Sequence, residues 1–147
     1  MPAQPAYDAS NVFAKILRGE LPCTKLHEDS DTIALMDIMP RCPGHCLVIP
    51  KAPARNILDA SPESLAACMR TVQALSRAVV TAFDADGVTI QQFNEAAGGQ
   101  VVFHLHVHVL PRWRDQKLKP HTGQMAEAAV LERHAAMIRS ALAGAGR

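Results

Sequence analysis

The sequence predicts an α+β fold: a largely antiparallel sheet of about five strands, one long helix packed on it, and a second helix at the C-terminal end. Two observations carry this expectation. Short apolar runs broken by turn residues recur through the chain, whereas the helical period of three and four appears at length only in two places. The strands also fall mostly in succession, without the strand–helix alternation that a parallel sheet requires.

Residues 1–9 contain Pro2 and Pro5 and are expected to be loose. Ser10 is a candidate N-cap for a short helix that carries Phe13, Ile16 and Leu17 on one side and ends at Gly19. Strands are expected at 24–28 and 32–37, joined by the Asp29-Ser30-Asp31 turn as a hairpin. The segment Met39-Pro40-Arg41-Cys42-Pro43-Gly44 must be a loop, because two prolines and a glycine do not sit in a central strand. A compact strand then follows at 45–49, stopped by Pro50.

The long helix opens with Ser61 as cap, Pro62 at the first helical position and Glu63 near the positive end of the dipole. Leu65, Met69, Val72, Ser76, Val79 and Phe83 would form its core-facing stripe, and Asp84-Ala85-Asp86-Gly87 ends it. Further strands are expected at 88–94 and 102–110, with a glycine loop at 95–100 between them. A final helix at about 124–142 carries Ala128, Leu131, Ala135, Ile138 and Leu142, with residues 143–147 fraying.

A chain of 147 residues with 48% hydrophobic and 20% charged content suits one domain spanning 1–147. The formal net charge of +1 gives no broad pull toward nucleic acid or anionic membrane. Neither a signal-peptide pattern at 1–9 nor a stretch long enough to cross a bilayer is visible, so a cytoplasmic protein is expected. Cys23, Cys42, Cys46 and Cys68 are expected as free thiols. Cys42, His45 and Cys46 invite a metal reading, but four tetrahedral ligands are not in view.

The chemistry gathers at Gly98-Gly99-Gln100-Val101-Val102-Phe103-His104-Leu105-His106-Val107-His108-Val109-Leu110, which holds three of the seven histidines. On a regular strand His104, His106 and His108 would share one face, and Phe103, Leu105, Val107 and Val109 the other. Alternate side chains then stand roughly 6.6 Å apart and the outer two roughly 13 Å apart. One zinc with bonds of about 2.0–2.1 Å cannot gather all three. A His-x-His pair with His45 or Cys46 could still hold a metal. The plainest reading is a strand whose histidines simply satisfy polar contacts. A third is phosphoryl transfer, since a neutral imidazole is a nucleophile near pH 7 and loop N–H groups after a glycine pair suit phosphate oxygens.

His104-Leu105-His106-Val107-His108-Val109-Leu110 resembles the His-x-His-x-His-x-x motif (x apolar) of the histidine triad (HIT) family of nucleotide hydrolases and transferases. Asn94, Gly99-Gln100-Val101-Val102-Phe103, and the run from Ala34 to Asp37-Ile38 through Pro43-Gly44-His45 to Lys51 resemble family segments in family order. The likeness covers about 11–113 and is nearest to the small bacterial, Hint-like branch.

The resemblance implies a HIT-like fold, a homodimer whose sheets join across the interface, a pocket for an AMP-like purine nucleotide, and a nucleotidyl-histidine intermediate. It implies no cofactor. By position, His106 is the nucleophile, His108 contacts the α-phosphate, His104 orients the site and His45 sits behind the triad. Asp37 would accept from the ribose hydroxyls, and Ile38 would wall the base pocket. Asn94, Gly99, Gln100 and Val101 would line the phosphate and leaving-group side.

Plainer readings stand beside these. Asp37 suits a turn before a proline loop, Asn94 could cap a strand end, and His45 could be a core histidine bonded to backbone. Phe13 and Ile16 could touch the base or simply pack.

Two departures from the family pattern stand out. Bacterial relatives often carry a CxxC that joins two histidines on zinc; here those positions are Asn11 and Ala14, so no structural zinc is expected. Val101 stands where Ser or Thr is common, leaving only its backbone N–H.

The functions in play are a nucleoside phosphoramidate hydrolase, a dinucleoside polyphosphate hydrolase (Fhit-like), and a nucleotide-binding or interaction module with little turnover. A metal-dependent enzyme is the fourth.

Overall fold

The structure, a computed structural model, describes residues 4–121 and 123–145. In chain order the elements are α1 (Val12–Leu17), β1 (Lys25–Glu28), β2 (Thr32–Met36), β3 (Cys46–Pro50), α2 (Pro62–Phe83), β4 (Gly87–Gln91), β5 (Val107–Arg112) and α3 (Ala128–Ala145). The strands form one sheet in the order β1-β2-β3-β5-β4, with every neighbouring pair antiparallel. The α+β expectation is met, and the family-type sheet with a long helix and a C-terminal helix is what the chain builds.

β2 and β3 are buried along their whole length, so they are apolar on both faces. Ala34, Met36, Cys46, Val48, Val107 and Val109 point to one side, against Cys68, Val72, Leu75 and Val79 of α2 and Leu131, Ala135 and Ile138 of α3. Ile33, Leu35, Leu47 and Ile49 point to the other, where Phe13 of α1 covers them. The register pairs Leu47 with His108 and Gln91 with His108, which puts His108 on this second face. The helices thus support the sheet from behind, and the chemistry sits on the opposite side.

Several boundaries differ from the sequence reading. Asn11, not Ser10, caps α1: its Oδ1 accepts from Ala14 N at 2.9 Å, while Ser10 Oγ is engaged by Asp8. The buried stripe of α2 is Ala67, Cys68, Thr71, Val72, Leu75, Ala78 and Val79; Met69 is 52% exposed. Small residues next to the expected stripe let the helix approach the sheet more closely on that side, which rotates Met69 outward. β4 ends at Gln91, so Asn94 lies beyond it.

α3 starts at Ala128 rather than 124, because the preceding segment is held elsewhere: Ala126 N donates to Ile38 O at 2.9 Å. α3 runs on to Ala145, so the part of the expected fraying at 143–145 is helical, and residues 146–147 lie outside the described residues. The N-terminal stretch has no regular structure, yet it is not loose: Gln4 and Tyr7 both hydrogen-bond into the body of the protein. Residues 1–3 lie outside the described residues.

Gly44 shows how the loop before β3 is fixed. Its φ is +80°, and a Cβ there would lie 2.6 Å from the Phe83 ring at the end of α2. Only glycine allows that approach, and the approach sets the next residue, His45.

Candidate active site

The largest correction concerns the histidine stretch itself. The expected strand over 102–110 begins only at Val107, so His104 and His106 precede β5. Leu105 N bonds to Ala54 O rather than to a strand neighbour, which takes this part of the backbone out of the sheet. The strand periodicity therefore does not place the three rings. Hydrogen bonds do. Phe103, expected on the apolar face, is only half-buried and lies beneath the Arg55 guanidinium, 4.1 Å from ring centroid to Cζ.

Each buried imidazole has its proton placed by a partner of known polarity. Pro50 O can only accept, so His104 Nε2 donates to it (2.8 Å), and His104 Nδ1 accepts from the Tyr7 hydroxyl (2.6 Å). His104 O can only accept, so His106 Nδ1 donates to it (2.7 Å), leaving a lone pair on His106 Nε2. Arg41 N can only donate, so His45 Nδ1 accepts from it (3.0 Å) and the proton of the neutral ring lies on Nε2. That N–H points at His108 Nδ1, 2.9 Å away, so His108 carries its proton on Nε2.

The His106 and His108 rings meet edge to face, 5.0 Å between centroids. Side by side stand a nitrogen with a free lone pair and a nitrogen with a free N–H. Phe13 packs against His106 at 4.8 Å and Phe93 against His108 at 5.6 Å, so both rings are held by aromatic edges as well.

Burial keeps these rings neutral. It pushes His45 and His108 down from 6.5 to about 3, and His104 and His106 below their ordinary range. Asp37 is raised by burial, against the opposing pull of the Met39 N–H and the charge of His121. Its Oδ2 lies 3.3 Å from His45 Nε2 and 3.9 Å from His108 Nδ1. With His45 neutral, this is a hydrogen-bonded cluster rather than an ion pair. Asp37 Oδ1 accepts from Met39 N at 2.8 Å, so the turn reading of this residue holds too.

The pH dependence of stability follows from these shifts. Between about 3 and 6.5 the unfolded chain binds protons that His45 and His108 refuse in the native state. Their contribution is complete above pH 6.5 and is lost as the pH falls, by up to about 1.4 kcal/mol per pH unit for each ring. The raised Asp37 carboxyl works in the opposite sense, but only lower down, in the carboxylate range. Urea unfolding at pH 7.5 and pH 5.5 is expected to show a clear loss of stability at the lower pH; equal values would contradict the buried neutral rings.

Asp37 Oδ2, His45 Nε2 and His108 Nδ1 lie within 4.8 Å of one another, a spacing that suits a metal. The tautomers oppose one. The Arg41 N–H holds the proton on His45 Nε2, so the atom that would have to ligate is a donor. Cys46 is wholly buried with its Sγ toward Val109 O, and burial raises Cys42 to about 11, so neither is a ready thiolate. All four cysteines are free. Asn11 and Ala14 serve α1, one as its cap and the other in its buried face.

The loop residues have unexpected duties. Gln100, a candidate for the phosphate side, has its side-chain amide fully occupied. Nε2 donates to Arg55 O and Val102 O, and Oε1 accepts from Asn56 Nδ2 and Glu95 N. Asn94 and Gln92 pair amide to amide, and Asn94 Oδ1 also accepts from Ile57 N. Gly99 has φ +96°, and a Cβ there would press on the Phe93 ring at 3.2 Å, so the backbone of this loop closes tightly on the ring that borders His108. Val101 is 84% exposed and Ile38 45% exposed; neither side chain is claimed by the core.

The HIT domain profile matches residues 18–115, a span that holds β1 to β5 and all four buried histidines. The chain belongs to the HIT domain family. The adenylylsulfatase HINT3 of Arabidopsis thaliana is 38% identical over 117 residues, covering 76% of this chain but 59% of that protein. The adenosine 5′-monophosphoramidase hnt1 of Schizosaccharomyces pombe is 35% identical over 103 residues, covering 70% of this chain and 74% of that one. A HIT-like protein of Bartonella henselae, described as involved in cell-cycle regulation, superposes with a TM-score of 0.87 at 48% identity. That match covers 92% of this chain and 99% of the other.

Several residues of this HIT site carried no sequence signal. Tyr7 and Asn56 sit in stretches without periodicity or motif, and only the fold brings Tyr7 to His104 and Asn56 to Gln100. The Arg41 N–H reaches His45 from four residues away, a contact that no side-chain pattern marks. His121 lies on the segment between β5 and α3 and is close enough for its charge to act on Asp37, His45 and His108. That segment is pinned to the Asp37 loop by Lys119 N on Arg41 O and by Ala126 N on Ile38 O.

Proposed function

We propose that the protein hydrolyses nucleoside 5′-phosphoramidates, with an AMP-like purine nucleotide as the transferred group and His106 as the nucleophile. The observation that carries this reading is the complementary pair of nitrogens: a lone pair fixed on His106 Nε2 beside an N–H fixed on His108 Nε2. The first attacks the α-phosphorus, and the second donates to a phosphate oxygen as charge develops there. A P–N(His) bond forms as the P–N(amine) bond breaks. Burial holds all four imidazoles toward neutrality, so the proton that leaves with the amine comes from the substrate or from solvent. Water then attacks the nucleotidyl-His106 and releases the nucleoside monophosphate.

Asp37 serves the ribose hydroxyls through its partly exposed carboxylate, and half-exposed Ile38 offers an apolar wall to the base. The backbone N–H of Val101 is assigned to the phosphate; the Gly99 N–H, expected on the same side, is already held by Ala96 O at 3.0 Å, and Gln100 and Asn94 shape the loop. His104 orients the nucleophile. The name of the fission-yeast relative supports a phosphoramidate, and that of the plant relative supports a nucleotide with a different leaving group.

A second copy of the chain fits the outer edge of β4, the last strand of the sheet, where Val88 and Ile90 are 37% and 40% exposed. We infer a homodimer joined there. Among the described residues no helix is long and apolar enough to span a bilayer.

The deciding experiment presents adenosine 5′-phosphoramidate and diadenosine triphosphate side by side, with acid-free early quenching and intact-mass analysis. Faster cleavage of the phosphoramidate and a transient adduct of one nucleotidyl group are expected. Preference for diadenosine triphosphate would move the protein to the polyphosphate hydrolases, and failure to cleave either would leave a binding module.

A further inference from the structure

His104 has its ring bonded at both nitrogens, to Pro50 O and to Tyr7, and its carbonyl bonded to the nucleophile. The stretch it occupies is outside the sheet, so ladder hydrogen bonds do not hold it. The ring contacts are its anchors, and one of them comes from a segment that the reaction does not otherwise use. Tyr7 lies 97 residues away in sequence, its hydroxyl 2.6 Å from His104 Nδ1 and its ring edge-on to the imidazole at 5.5 Å. Asn11 Nδ2 donates to the same hydroxyl at 3.1 Å, which directs the hydroxyl proton toward His104. Asn11 is itself fixed, because its Oδ1 caps α1. Gln4 Nε2 fastens the start of the segment to Asn56 Oδ1 at 3.1 Å.

We propose that Tyr7 is a positioning residue for the nucleophile, its hydroxyl locking His104 in the one tautomer and orientation from which the His104 carbonyl holds the proton on His106 Nδ1. The chain of donors runs in a single direction: Asn11 N–H to Tyr7 Oη, Tyr7 O–H to His104 Nδ1, and His104 N–H to Pro50 O. With the hydroxyl removed, His104 Nδ1 is a buried acceptor without a partner, since the ring is 1% exposed. The ring can relieve this by moving its proton to Nδ1. Nε2 would then face Pro50 O lone pair to lone pair, and the residue must shift. The shift reaches His106 through the carbonyl they share. This inference rests on the assignment of His106 as nucleophile for its effect on rate, but not for its effect on tautomers.

The test is Tyr7→Phe, which keeps the ring and deletes one oxygen. Long-range ¹H–¹⁵N spectra of the imidazoles at pH 7.5 are expected to show His104 as the Nε2–H tautomer and His106 as the Nδ1–H tautomer in the wild type. Both should become mixtures in the variant. The value of kcat for adenosine 5′-phosphoramidate is expected to fall about tenfold with KM within about twofold, the pattern of a misaligned nucleophile with binding intact. Asn11→Asp keeps a side-chain acceptor for the cap of α1 but turns the donor to Tyr7 into an acceptor; it should give the same spectral change, and it replaces Tyr7→Phe should that variant not fold.

Retention of both wild-type tautomers overturns the proposal whatever the rate does. So does a kcat for Tyr7→Phe equal to that of the wild type, where His106→Ala silences the same enzyme. Absence of turnover in the wild type would instead remove the proposed function, and the spectra alone would then decide the role of Tyr7.

Discussion

Replacing His106 with alanine is expected to lower kcat/KM for a nucleoside phosphoramidate by on the order of 10⁴-fold and to abolish the covalent adduct. The size follows from what is lost. His106 Nε2 is the triad nitrogen whose lone pair is left free by the hydrogen-bond pattern, whereas His104 Nδ1 is taken by Tyr7 and His108 Nδ1 by His45. None of the neighbours can substitute, since each has its accepting nitrogen committed. The cost to stability should be small by comparison, about 1–3 kcal/mol for the hydrogen bond to His104 O and the edge contact with Phe13. Circular dichroism and a thermal melt on the same sample show whether the variant is folded. Turnover within tenfold of wild type by a folded variant would remove His106 from the role of nucleophile.

Gln100→Leu is expected to act mainly on stability, with a loss of about 3 kcal/mol or more and a fall in Tm of roughly 10 °C. The amide of Gln100 joins four groups from three parts of the chain: Arg55 O, Val102 O, Asn56 Nδ2 and Glu95 N. Leucine fills a similar volume and satisfies none of them. Asn56 is wholly buried and keeps only Glu95 Oε2 for its Nδ2, while the Glu95 N–H loses its partner at a residue with φ +63°. A non-glycine residue stays in that conformation only while its surroundings hold it there. The Arg55–Glu95 pair, at 2.8 Å, remains but no longer has the loop closed beneath it. A Tm within 2 °C of wild type together with a raised KM would mean that the side chain reaches the nucleotide instead.

The two predictions divide the residues assigned to the phosphate side. His106 and His108, though buried, each keep one ring nitrogen without an internal partner, and these are the two proposed to do chemistry. Gln100 and Asn94, placed with them by resemblance, are engaged by internal partners and act on the loop that carries the Val101 backbone N–H. A motif match cannot separate the two kinds, because both are recurrent polar residues at fixed spacing. Only counting donors and acceptors in the folded protein does so.

The chain by itself determined the fold class and pointed to the stretch where the proposed chemistry lies. Alternating and three-four periodicities reflect which side chains leave water, and that pattern is local, so β2, β3, α2 and α3 could be read from it to within a few residues. The spacing of the histidines and the order of the segments around Asp37, His45, Asn94 and Gly99 were equally legible, and the HIT profile matches residues 18–115, a span that contains them.

The tertiary structure alone decided what each nitrogen can do. A proton on an imidazole is placed by its partner, and most partners here lie far off in sequence: Pro50 and Tyr7 for His104 and His45 for His108, whereas His45 takes the nearby Arg41 N–H across a tight loop. It also removed His104 and His106 from the strand that their alternation suggested, since Ala54 O captures the Leu105 N–H that a strand neighbour would otherwise take. Periodicity reports burial, which each residue expresses locally. Hydrogen-bond polarity is a property of pairs, and a pair exists only once the chain has folded.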